Sequence, residues 1–136
     1  MRKTVTYLAV LFLVIASLAC NRLSPVRLNV VDKGACVEFD EDTREPIGVS
    51  EEFDFGVDQV MAYFYVETNI KAPLHFRFYL DDVLFNQAST TLIPGYNYAA
   101  FIPDTGLVPP GHYRVVAFVG DTEPLELGVV EFEVVD

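Results

Sequence analysis

The chain reads as an all-β fold, a β-sandwich of seven or eight short strands behind an N-terminal signal peptide. Three observations predict it. Apolar and polar residues alternate with period two through most windows after residue 59. No window carries a sustained helical stripe. Every connection between the alternating runs holds Gly, Pro, Asp or Asn, residues suited to turn dihedrals.

The first element is a targeting segment. Arg2 and Lys3 precede a nearly apolar run from Tyr7 to Ile15. That run is too short for a spanning helix, which needs roughly 20 apolar residues. It has the length of a signal-peptide core, so residues 1–19 are set apart from the fold. No later segment is long and apolar enough to span a membrane as a helix.

Two processing routes fit the next stretch, Ser17-Leu18-Ala19-Cys20. Simple cleavage before Cys20 leaves it able to pair with Cys36 in an oxidising compartment. Alternatively, Leu18-Ala19-Cys20 resembles the lipobox of bacterial lipoproteins, with Ser17 where that pattern usually has Leu. The resemblance implies a diacylglyceryl group on the Cys20 thiol and an amide-linked acyl chain, which together anchor far better than one chain. Cysteine is rare here, and its place directly after the apolar run favours the lipidated route. Cys36 then becomes a lone thiol, read as a small buried hydrophobe. Residues 20–25 form a lipidated tether and 26–136 the sandwich domain. The implied location is the cell envelope, lipid-anchored and facing the extracytoplasmic side, in the periplasm or at the cell surface.

Without residues 1–19 the chain keeps 117 residues, enough for one domain with a real core. Seven basic residues then face twenty acidic ones, a net charge of −13. Such a surface repels nucleic acid and anionic lipid headgroups, without forbidding anchoring by acyl chains. It admits cationic partners.

The strands follow in order. VRLNVV (26–31) and ACVEF (35–39) read as a pair around a DKG turn. Residues 40–58 read as an acidic loop with a short irregular strand near Ile47 to Val49, and with Phe53 and Phe55 pinned to the core. In QVMAYFYVE, Val60, Ala62, Phe64 and Val66 share one face, and Met61, Tyr63 and Tyr65 the other. In LHFRFYL, Leu74, Phe76, Phe78 and Leu80 oppose His75, Arg77 and Tyr79. Asp81-Asp82 turns the chain into VLFNQ. YNYAAFI (96–102), HYRVVAFV (112–119) and VVEFEVV (129–135) complete the set.

The segment LVPPGHYRVVAFV resembles the strand entry of fibronectin type III and immunoglobulin-like domains. There a Leu and a Gly precede a Tyr whose hydroxyl ties back to the upstream backbone, the tyrosine corner. Leu107, Gly111 and Tyr113 take those places. Without a Cys…Trp…Cys set, an antibody-type domain is not implied. The run of REPIGVSEEF, an LDD hairpin, PPGHYRV and a final EFEV is similar to uncharacterised bacterial lipoproteins with a single immunoglobulin-like domain. The resemblance implies a fold and says little about activity.

Chemistry-bearing patterns are sparse. His75 and His112 have neither HxH nor HExxH spacing, and no GxSxG, SxxK or P-loop occurs. No catalysis and no cofactor are expected. Asp40, Asp42 and Glu51 mimic the first, third and twelfth positions of an EF-hand, but Arg44 and Glu45 fall where a ligand and a glycine belong. The acidic loop is read chiefly as solvated, with weak calcium binding as the lesser reading. The best candidate binding surface is a Tyr-rich face formed by Tyr63, Tyr65, Arg77 and Tyr79, with Met61 and His75 beside them, provided their strands share a sheet. The expected function is an anchored envelope interaction module whose partner is an envelope protein or a glycan. The alternatives are a purely structural or accessory subunit, and a secreted glycan- or calcium-binding domain.

Overall fold

The computed structural model describes residues 25–136. Ten strands follow in order: β1 (Leu28–Cys36), β2 (Glu38–Phe39), β3 (Pro46–Ile47), β4 (Glu52–Asp54), β5 (Val60–Thr68), β6 (Pro73–Leu80), β7 (Val83–Thr91), β8 (Gly95–Phe101), β9 (Gly111–Val119) and β10 (Leu125–Val135). A three-stranded sheet, β1-β5-β8, packs on a five-stranded sheet, β4-β10-β9-β6-β7, and β2 pairs with β3 in a small hairpin. β1, β5 and β8 take the places of strands A, B and E of an immunoglobulin-like sandwich, and β6, β9 and β10 those of C, F and G. β7 adds beside the C position, as in variable-type domains. The fold is an all-β, immunoglobulin-like sandwich.

Alternation puts one face of each long strand into the core. Val60, Ala62, Phe64 and Val66 from β5 meet Leu74, Phe76 and Phe78 from β6, with Val115 and Ala117 from β9. All are nearly or fully buried. Asn97 is the one buried polar side chain among the described residues. It survives there because its oxygen accepts from the Ile93 amide (2.9 Å) and its amide donates to the Ile93 and Gly95 carbonyls (2.8 and 3.1 Å).

The tyrosine corner forms at the entry to β9. The Tyr113 hydroxyl donates to the Pro109 carbonyl at 2.5 Å, and its ring stacks on Phe132 at 4.9 Å with planes 3° apart. Gly111 sits at φ 149, where an added Cβ would lie 2.6 Å from Leu80 Cδ1. Asp81 and Asp82 carry the positive φ values of a tight hairpin turn, 47 and 67.

Three sequence expectations change. Residues 28–36 are one strand, because Asp32, Lys33 and Gly34 keep pairing with β5 opposite Tyr65, Phe64 and Tyr63. A bulge between Val30 and Asp32 absorbs the extra residue where a turn was expected. The acidic loop is also more structured than its lack of period implied. It supplies the β2–β3 hairpin, and β4 pairs parallel to β10. Finally, Phe53 is buried against Phe132, but Phe55 is 47% exposed. The Phe55 amide still bonds the Val135 carbonyl at 2.8 Å, but β10 ends there and the chain turns at Gly56, so the Phe55 ring lies at the end of the sheet and outside the core.

Candidate functional site

The Tyr-rich face of the sequence reading divides in two, because β5 and β6 belong to different sheets. Tyr63 and Tyr65 lie on the outer face of the three-stranded sheet. Arg77 and Tyr79 lie on the outer face of the five-stranded sheet. Consecutive strands that alternate alike look coplanar in sequence, and only the crossover between sheets separates them.

On the five-stranded sheet the guanidiniums are spent on local stacking. Arg77 sits 4.8 Å from the Phe118 ring centre, and Arg114 sits 4.6 Å from that of Tyr79. His75 stands between Ser89, 2.7 Å from Nδ1, and Asp121, 2.6 Å from Nε2. The row resembles a nucleophilic triad in its residue types. A nucleophilic serine also needs amide donors aimed at a developing oxyanion. The neighbouring Gly120 amide is already bonded to the Pro73 carbonyl at 2.9 Å, and Asp121 is 69% exposed. The row is a cross-strand polar ladder in water, built on the His75–Ser89 register.

The three-stranded sheet carries a different arrangement. The β2–β3 hairpin folds as a flap over its outer face. The flap is held by Val37 N–H to Ile47 C=O (3.1 Å), by Ser50 N–H to Ala35 C=O (3.1 Å) and by the Gln59 side-chain amide to Val37 C=O (2.8 Å). Phe39, on the flap, meets Tyr63, Tyr96 and Tyr98 at ring separations of 6.0, 5.6 and 4.4 Å. Tyr65 meets Tyr96 edge-on at 4.7 Å. The register explains the convergence, since Tyr63 pairs with Tyr98 and Tyr65 with Tyr96 on one face. Gly34, opposite Tyr63, leaves room for that ring, since an added Cβ would stand 2.8 Å from the phenol oxygen.

A cleft of about 560 Å³ opens between the flap tip and the sheet. Phe39, Asp40, Glu41 and Arg44 form one side, and Tyr65, Tyr96, Tyr98 and Ile93-Pro94-Gly95 the other. Tyr98 is half exposed at the mouth. Burial, then the negative charges of Asp32 and Glu45, raise the Tyr96 hydroxyl above its ordinary pKa. The cleft therefore offers ring faces beside a rim that carries Asp40 and Glu41 with Arg44 among them. Such a surface can stack flat or cationic groups. Another hollow of about 530 Å³, lined by Lys33, Glu51 and Glu131 among aliphatic residues, holds no aromatic ring.

Asp40, Asp42 and Glu51 do not come together. Among the described residues no group of three or more His, Cys, Asp or Glu side chains gathers as metal ligands would. The Asp40 carboxylate caps its own turn, accepting from the Asp42 and Thr43 amides at 2.8 and 2.9 Å, and those bonds lower its pKa. Glu51 lies far along the chain, where its carbonyl accepts from Glu133 N–H at 2.8 Å as β4 begins.

Cys36 is fully buried beneath the flap, and burial pushes its thiol up to about 11. Cys20 lies outside the described residues. The parts of the site that sequence reading missed are Phe39, Tyr96 and Tyr98. The signal for the last two was present, since YNY alternates like β5, but a flap over them left no periodic trace.

No protein-family model matches the chain, and no curated protein is similar to it. Among solved structures it is similar to the CARDB domain of the PF1109 protein from Pyrococcus furiosus, solved in complex with di-metal ions. That likeness has 16% identity and a TM-score of 0.41, covering 82% of this chain and 96% of that one. No functional residue is carried over at this distance.

Proposed function

We propose that this chain is a non-catalytic recognition module, held in the cell envelope by lipid on Cys20 and meeting a protein or glycan through the aromatic cleft. The observation that carries the reading is the convergence of Phe39, Tyr65, Tyr96 and Tyr98 from three strands onto one surface rimmed by charged side chains. Rigid aromatic side chains at an open surface supply contact area at small entropic cost.

The alternative fate of Cys20, a bond to Cys36, is opposed by distance and burial. A disulfide needs Cα atoms within about 7 Å. Asn69 binds the Pro25 carbonyl, and it lies eight residues along β5 from Met61, the partner of Cys36. Eight strand residues span about 27 Å. Five residues from Pro25 back to Cys20 reach at most about 18 Å, and Cys36 lies under the flap. These points favour the acylated route over the disulfide.

The test is photo-crosslinking in cells that express the full chain. A crosslinking residue replaces Tyr98 in one variant and Tyr79, on the opposite face, in another. A discrete adduct from position 98 and none from 79 supports the cleft. Equal adducts from both, or from 79 alone, reject it and favour a structural subunit without a dedicated binding face.

A further inference from the structure

One side of the sandwich is built from a stretch without charge. Residues 83–103, which make β7, the turn after it and β8, hold no Asp, Glu, Lys, Arg or His. β7 ends the five-stranded sheet and β8 the three-stranded one, and the rings of Phe85 and Phe101 meet between them at 4.8 Å. The exposed apolar side chains Val83, Leu84, Phe85, Ile93 and Ile102 all belong to this stretch. The other edges of the two sheets carry features that block pairing with another chain. β1 has Asp32, Lys33 and a bulge, and β4 is three residues long with Glu52 and Asp54.

β7 is also an open ladder. Of the long strands it alone has no buried residue. Leu92 N–H donates to the Ala72 carbonyl at 2.9 Å, so Leu92, Thr90, Ala88 and Asn86 turn their backbone groups towards β6. The alternate residues Gln87, Ser89 and Thr91 turn theirs outward. Pro73, opposite Thr91, agrees with this, since its carbonyl accepts from Gly120 N–H on the β9 side of β6 at 2.9 Å. The bulge at Phe85 precedes this run, and residues 86–91 pair with β6 in regular register. Among the described residues no strand lies beyond β7.

We infer that β7 is a self-association edge, at which two copies of this chain pair antiparallel about a two-fold axis through Ser89 and join their five-stranded sheets into one. Charge and pattern select a second copy as the occupant. Each copy carries a net charge of −13 once residues 1–19 are set apart. Two copies therefore repel across their acidic surfaces and meet at least cost on the uncharged side. A basic partner finds no carboxylate on this strand. The strand is also self-complementary. The two-fold sets Gln87 against Thr91 of the second copy and Ser89 against its own counterpart, uncharged pairs of the kind that bond across strands. It brings Phe85, exposed near one end of β7, to Ile93 of the second copy, exposed just past the other end. Such a contact is isologous and closes at two copies. It leaves the charged edges β1 and β4 outside the interface, and it does not depend on the fate of Cys20.

The experiment is sedimentation equilibrium of the full chain, expressed in cells and purified in density-matched detergent, so that acylated and bare protein are weighed alike. The parent is expected to show a doubled mass at high micromolar concentration. Gln87→Glu with Thr91→Glu, at two exposed positions, sets like charges across the two-fold and is expected to return the single-chain mass. Gln87→Lys with Thr91→Lys is expected to do the same alone. Mixing the two variants sets Glu against Lys and is expected to restore the doubled mass, which a folding defect could not do. Circular dichroism reports the fold of each variant. A parent that stays at the single-chain mass overturns the inference. So does a doubled mass that survives the Glu substitutions in folded protein, because the copies then meet elsewhere. A mixture that stays at the single-chain mass overturns the two-fold register. In cells, a photo-crosslinking residue in place of Ser89 is expected to link two copies of this chain. An adduct with a different protein there assigns the edge to a foreign strand and overturns the second copy as its occupant.

Discussion

The rings of Phe39 and Tyr98 stack at 4.4 Å with planes 20° apart, although one sits on the β2–β3 flap and the other on an edge strand of the sheet beneath. This contact closes the flap over Cys36 and at the same time builds one wall of the cleft.

Phe39→Ala removes the ring that joins flap to sheet. The loss of a partly buried aromatic contact is expected to cost about 1–3 kcal/mol. Most of it falls on local opening of the flap. Cys36 labelling by a maleimide is therefore expected to quicken about 5- to 100-fold, since each 1.4 kcal/mol of opening is about a factor of ten. Unchanged labelling would show that the backbone bonds of the flap suffice without the ring.

Gly34→Ala tests the support beneath the cleft. The added methyl would lie 2.8 Å from the Tyr63 phenol oxygen and 3.0 Å from its ring carbon, so the ring must move. Overpacking of this kind costs about 1–3 kcal/mol. Equilibrium denaturation is expected to show that loss, together with a changed near-ultraviolet signal from the tyrosine cluster. A variant as stable as the parent would mean that Tyr63 shifts freely and does not brace Tyr96.

Tyr113→Phe keeps the stack on Phe132 and deletes one hydrogen bond to Pro109. The Pro109 carbonyl loses its partner at the β9 entry. The expected cost is about 1–2 kcal/mol, or a fall in Tm of several degrees for a domain of this size. No change in Tm would remove the corner from the stabilising contacts of this fold.

Alkali is expected to unfold the domain in steps that name their residues. Burial raises Cys36 from 9.0 to about 11, and burial with the nearby Asp81 raises Tyr113 from 10.0 to about 12. Both groups are kept protonated by folding. Their contribution is complete below the unfolded values and is lost as pH rises through the folded ones. Stability should decline from about pH 9 and fall steeply towards pH 12. In Cys36→Ala the decline should begin roughly one unit later, where tyrosine starts to ionise. An identical profile for both proteins would show that Cys36 is not the first group lost.

The sequence revealed the sandwich because period-two alternation follows directly from burying one face of a strand. Val60–Val66 and Leu74–Leu80 carried it without ambiguity, and the PPGHY segment marked the corner that Tyr113 completes. The binding face was half legible. Tyr63 and Tyr65 were visible as an outward aromatic pair, but their neighbours across the sheet, Tyr96 and Tyr98, depend on a register set more than thirty residues away. Arg77 and Tyr79 were grouped with them because alternation tells inside from outside and not one sheet from the other. The flap was hidden for another reason. β2 and β3 span two residues each, too short to show a period, and their position comes from backbone bonds and from one ring, Phe39. The bulge at Val30–Asp32 was missed because DKG has turn composition, while its pairing with β5 continues through it.

The central claim is that this domain does its work from a lipid anchor at Cys20. The most direct test is the intact mass of the native protein in membrane and soluble fractions, combined with thiol labelling after unfolding. The account predicts a membrane-bound species that starts at Cys20, is heavier than its polypeptide by the acyl chains, and labels at Cys36 alone. A soluble species of bare polypeptide mass, whether with two reactive thiols or with none, would contradict it.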